Sequence, residues 1–102
     1  MDIQNTRFRR STRQVSTRLG EDTVVLHLEA EEYFQLNEVG SRIWELLETP
    51  RTVEELATQL HKEFEVSPQQ LRTDLVAFLQ RLLELDLVEV VSDGETDPPQ
   101  DA

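Results

Sequence analysis

Few side chains in this chain of 102 residues have the types and spacing that chemistry needs. The two histidines, His27 and His61, stand apart, one on a predicted strand and one on a predicted helix. With no cysteine and no His-x-x-x-His pair, a metal site would need both histidines and several carboxylates to converge from distant segments. The absence of cysteine also removes disulfides and thiol nucleophiles, and suits a cytoplasmic protein. The adjacent carboxylates Glu31-Glu32 and Glu54-Glu55 have the form of solvated charge or of charge at a helix start. Gly20, Gly40 and Gly94 are too scattered for a phosphate-cradling loop. Nothing marks a strained nucleophile elbow among the serines. Enzyme signals are therefore weak, with no metal ligand set and no cofactor expected, although the residue types leave a Ser/His/Asp constellation open.

The charge is strongly segregated. Residues 1–18 carry five arginines against Asp2, a net of +4. Residues 19–91 carry sixteen acids against five bases, a net of −11. Residues 92–102 carry four acids and no base. This pattern predicts a flexible basic arm over 1–14, one folded domain over 15–91 and a disordered acidic tail over 92–102. The longest apolar run is five residues, 75–79, against the roughly 20 that a membrane span needs. No apolar stretch follows the N-terminal arginines, so no secretory signal is predicted. An overall charge of −11 argues against nucleic-acid and anionic-membrane partners, which bind basic surfaces.

The elements that would position a site follow from periodicity. Residues 15–19, 23–28 and 33–36 read as three short strands, separated by turn signals at Gly20-Glu21-Asp22 and at 29–32. Short links make them an antiparallel meander. In the third strand Tyr33 and Gln35 take one face and Phe34 and Leu36 the other. Asn37 then caps a helix over 38–48, buried through Val39, Ile43, Trp44 and Leu47. Thr52 and Glu55 form a capping box for a second helix over 53–64. Ser67, Pro68 and Gln70 start a third helix that runs to Leu85, and 87–91 is a short apolar end. The order is three strands, then three helices. That is an α+β, winged helix-turn-helix-like architecture with a three-stranded antiparallel sheet.

The third helix is the most informative segment. With Leu71 at zero and about 100° per residue, Leu75, Phe78, Leu82 and Leu85 fall within roughly 40° of it. Val76, Leu79 and Leu83 form a second stripe, which widens the apolar arc to about 180° where one packed face needs about 100°. The second stripe needs another partner, either the protein's own sheet or a ligand in a groove beside it. The same helix would be the recognition helix of a DNA-binding winged helix. Its Arg72 and Arg81 are offset by Asp74 and Glu84, and such a neutral helix in an acidic body repels a duplex.

The run EYFQLNEVGSRIWELLE (32–48), followed by RTVEELATQL (51–60) and QLRTDLVAFLQRLLELDLVEV (70–90), resembles the PqqD-like family. Members are recognition elements that bind leader peptides of ribosomally synthesised, post-translationally modified peptides. The resemblance spans 15–91, is most specific at the strand-to-helix junction YFQLN…G…IW, and is nearest to the stand-alone forms of lasso-peptide systems. It implies a non-catalytic adaptor that takes the precursor's leader as an added strand on the third strand, against the third helix. It implies delivery of the precursor to a transglutaminase-like leader peptidase and then to a macrocyclase. Carried over by position, the strand contacts are Tyr33, Phe34, Gln35 and Leu36. The helix contacts are drawn from Arg72, Leu75, Val76 and Leu79, with Asp74 as a polar contact. Ile43, Trp44 and Leu47 support from the core. Phe34 and Leu36 are expected to face the core, and Tyr33 and Gln35 the ligand. A winged-helix DNA-binding transcriptional regulator is the alternative, and a structural subunit without a peptide ligand is the third reading.

Overall fold

The computed structural model describes residues 6–91. The predicted acidic tail, 92–102, lies outside the described residues, as does the start of the predicted arm.

Gln14–Leu19 (β2), Asp22–His27 (β3) and Glu32–Leu36 (β4) form the expected antiparallel meander in the order β2-β3-β4. Gly20, at φ +66, makes the tight turn between β2 and β3, where an L side chain would be strained. The register sets Val25 opposite Phe34 and Thr23 opposite Leu36, so these residues share the face toward the helices. On the other face Val15, Leu26 and Tyr33 lie side by side across the three strands.

Three helices follow, each started by the residue that the sequence supplies for it. Asn37 accepts from Gly40 N–H (2.9 Å) and caps Glu38–Leu46 (α1). Thr52 and Glu55 complete a reciprocal capping box on Val53–Glu63 (α2). Ser67 accepts from Gln70 N–H (3.1 Å) at the start of Pro68–Glu84 (α3), with Pro68 in the first turn, where its missing N–H costs nothing. The Gln70 side chain does not reach back to the cap; its amide donates to Asp74 (2.9 Å).

The described part of the predicted flexible arm is a strand instead. Arg7–Arg10 (β1) pairs antiparallel with Val88–Val91 (β6) and with the two-residue Arg51–Thr52 (β5), giving a second sheet in the order β5-β1-β6. Phe8 is buried in the core. Arg10, two residues on and so on the same face, lays its guanidinium over the Trp44 ring at 5.1 Å and donates twice to Trp44 O (2.9 and 2.7 Å). Arg9 points the other way and pairs with Glu89 across the ladder (3.1 Å). A four-residue strand with one apolar side chain has no legible alternation, and its partner β6 lies at the far end of the domain.

The core joins Phe8, Val25, Leu36, Ile43, Trp44, Leu47, Leu56, Leu60, Leu75, Leu79, Leu82 and Val88, so both sheets and all three helices share it. The two sheets are also tied at one polar node. His27 is buried on β3, and its Nδ1 accepts from Ala30 N–H (3.1 Å). That leaves the ring proton on Nε2, which donates to Asp86 Oδ2 (3.0 Å) just after α3. Arg13 adds a second bond to the same carboxylate (3.2 Å). His27 first and Arg13 second hold Asp86 below the ordinary carboxylate range.

Two outcomes follow for stability. Phe8→Ala should cost about 3–5 kcal/mol in urea unfolding, the usual range for a buried phenylalanine, whereas a mobile arm would lose nothing. A carboxylate whose folded pKa is lowered stabilises above its unfolded value, near pH 3.9, and loses that contribution as pH falls through the folded value. Asp86→Asn, which tolerates the left-handed backbone at this position (φ 60), should therefore flatten the acid limb of a melting-temperature titration below about pH 4.

Candidate functional site

β4 is an edge strand, so alternate backbone N–H and C=O groups along it face away from the sheet. Beside it opens a groove of about 620 Å³. Gln35 and Leu36 of β4, with Asn37, Val39, Gly40 and Ile43 at the start of α1, make one wall. Leu71, Asp74, Leu75 and Phe78 of α3 make the other, and Phe64, Glu65 and Val66 close the end between α2 and α3. The α3 residues are spaced i, i+3, i+4, i+7, the period of a single helix face. Gly40 lets α1 come this close, since a Cβ there would lie 3.3 Å from Phe78 Cζ and from Asn37 Oδ1.

Four of the residues carried over by resemblance meet in this groove: Gln35, Leu36, Asp74 and Leu75. Leu36 is buried and Phe34 half-buried against the core, while Tyr33 (72% exposed) and Gln35 face outward, as strand alternation expects. Gln35 lines the groove while its amide reaches Asp22 (2.8 Å).

The α3 residues carried over divide between the groove and the core. Leu79 is wholly buried, and Val76 is half-buried against the core; neither lines the groove. The groove takes the first apolar stripe, at Leu71, Leu75 and Phe78, instead of the second. The physical reason is that α3 packs on both α2 and β6, so protein covers the wide arc that the sequence left open for a ligand. Arg72 lies on another flank of α3, paired with Glu54 (2.5 Å) beside a separate cavity of about 110 Å³ that Glu54 and His61 share. Arg72 draws the Glu54 carboxyl below its ordinary range, and Glu54 in turn raises Arg72.

The sequence reading missed Val39, Phe64, Val66 and Phe78 as groove residues. Val39 was expected to be buried with Ile43 and is 37% exposed at the groove. Val66 did leave a signal: an apolar residue in a link that only has to turn the chain is surplus unless it covers something.

Among the described residues no three His, Cys, Asp or Glu side chains gather as a metal site, and no helix is long and apolar enough to cross a membrane. Sheet edge, helix and open groove define a class: a small winged-helix-like α+β domain whose edge strand and third helix flank an apolar trough. Residues 22–88 match the family described as coenzyme PQQ synthesis protein D (PqqD), and the chain belongs to the PqqD family. Its structure is similar to that of TbiB1 in complex with the TbiA(beta) leader peptide, with a TM-score of 0.74 and 35% identity over 87% of this chain and 99% of that one. It also shares the fold of a lasso peptide synthetase B1 complexed with the leader peptide, with a TM-score of 0.73 and 24% identity over 80% of this chain and 96% of that one. No curated protein matches the sequence.

Leu79→Ala should behave as a core truncation, lowering stability by about 2–5 kcal/mol in urea. Asp74→Ala, on the exposed lip, should stay within about 0.5 kcal/mol of the parent. Equal losses at the two positions would put Leu79 outside the core.

Proposed function

We propose that this chain is a non-catalytic, cytoplasmic adaptor that holds the leader peptide of a ribosomally synthesised, post-translationally modified precursor, in a lasso-peptide system. The observation that carries the reading is the free edge of β4 running directly into a groove walled by α3. An extended leader segment adds to β4 by main-chain hydrogen bonds, which supply affinity without regard to sequence. Every second leader side chain then turns toward α3 and buries against Leu71, Leu75 and Phe78, which supplies selectivity. Tyr33 and Gln35 flank the added strand on the outer face, and Asp74 is the polar contact. The contacts proposed here are those that line the groove; Arg72 pairs with Glu54, Val76 packs against the core and Leu79 lies within it. The similarity to a protein solved with its leader peptide, at 35% identity over nearly its whole length, supports a leader peptide as the ligand here.

The adaptor's task is delivery. A leader held along one edge keeps the rest of the precursor free to enter a separate enzyme, here a transglutaminase-like leader peptidase and then a macrocyclase. The DNA-binding alternative draws little from α3, whose Arg72 and Arg81 each lie beside a carboxylate, Glu54 and Glu84, so the helix stays neutral.

The test is calorimetric titration with a candidate lasso-precursor leader peptide. Tyr33→Ala should weaken binding by about 1–2 kcal/mol, as for an ordinary interface anchor, and leave the melting temperature unchanged. Phe78→Ala should weaken it at least as much, while Phe34→Ala lowers the melting temperature. No binding by the parent chain, or normal binding by both the Tyr33 and Phe78 variants, would remove β4 as the docking edge.

A further inference from the structure

The groove is apolar along its floor but carries two charged side chains, Asp74 on the α3 wall and Glu65 at the closed end, and both are acidic. The arginines nearest in sequence are committed elsewhere: Arg72 to Glu54 (2.5 Å) and Arg81 to Glu84 (3.7 Å). Arg42 of α1 is held by Glu63 (2.8 Å). Among the described residues no cation lies within ion-pair distance of Asp74 or Glu65. Asp74 takes one hydrogen bond, from the neutral amide of Gln70 (2.9 Å).

In open solvent such carboxylates are satisfied by water. A strand laid along β4 changes their surroundings, because it covers the trough between Leu36 and Phe78 and strips water from its lip. A carboxylate that loses water without gaining a donor is costly, and low-dielectric walls strengthen its field. Two acids and no base therefore favour a cation on the incoming chain and reject an acid. Asp74 stands between Leu71 and Leu75 along α3, so an apolar anchor and a cation meet the same stretch of the helix. Residues two apart on an extended chain face the same side, so both groups can come from alternate positions of one ligand face.

We infer that the groove selects leader segments that pair its apolar anchors with a lysine or arginine two residues away, placed against Asp74, with Glu65 reinforcing the same sign. This rests on the leader-binding reading and names the chemistry it requires of the leader.

The experiment is selection from a display library of random linear peptides on the full chain, on Asp74→Lys and on Asp74→Asn, each first checked by a thermal melt. The parent chain should enrich peptides with alternating apolar residues and a Lys or Arg at the alternate position. Asp74→Lys should keep the apolar pattern and exchange the cation for Asp or Glu. The best parent-selected peptide should bind Asp74→Asn about tenfold more weakly at low salt, with the difference shrinking at high salt as ions screen the attraction to Asp74 in the parent. An enriched apolar pattern with no basic preference, unchanged by Asp74→Lys, would overturn the cation selectivity and leave leader binding standing. No enrichment of any peptide by the parent chain would overturn both.

Discussion

Trp44 is the point on which the arrangement depends. Its ring sits in the core of α1, and its indole N–H donates to Ser16 Oγ on β2 (3.0 Å). Its carbonyl and ring face receive Arg10 from β1. One residue thus fastens the helical layer to both sheets with every polar atom satisfied, which a buried indole requires. Because α1 begins one residue after β4 ends, fixing α1 also fixes the direction in which β4 leaves the sheet. Asn37 and Ser41 lock that junction, through the cap on Gly40 N–H and a hydroxyl bond to Leu36 O (3.2 Å). The trough lies beside β4, where α1 and α3 approach each other at Gly40 and Phe78, and Phe64, Glu65 and Val66 complete its lining.

An open strand edge is a hazard for a folded protein, since it pairs with any extended chain that arrives. Here the edge is short and carries Glu32 and Gln35, and the helix begins immediately after it. Those features limit edge-to-edge association while leaving room for one chain seated against α3. In the proposed complex, affinity from the backbone and selectivity from the trough come from different groups, so each can vary without disturbing the other.

The acidic surface belongs to the same logic. A body of net charge −11 over residues 19–91 repels phosphate, and the winged-helix outline carries an open sheet edge beside α3. Fold alone does not decide such a use; the site does.

Much of this was legible in the chain. Three helices with their caps, three meander strands and the inward-facing Phe34 and Leu36 follow from local chemistry: an Asn or Ser that satisfies free N–H groups, a proline at a helix start, a period of two against a period near 3.6. These signals act over a few residues and need no knowledge of the rest. The role of Arg7–Arg10 and the choice of which α3 stripe faces the groove were decided only by tertiary structure. A strand with one apolar residue forms because β6, some eighty positions later, offers it a ladder and a buried seat for Phe8. That second sheet and α2 then cover Leu79, leaving Leu71, Leu75 and Phe78 to line the trough. An amphipathic pattern states how much of a helix must be covered, but what covers each side depends on contacts between residues far apart in the chain.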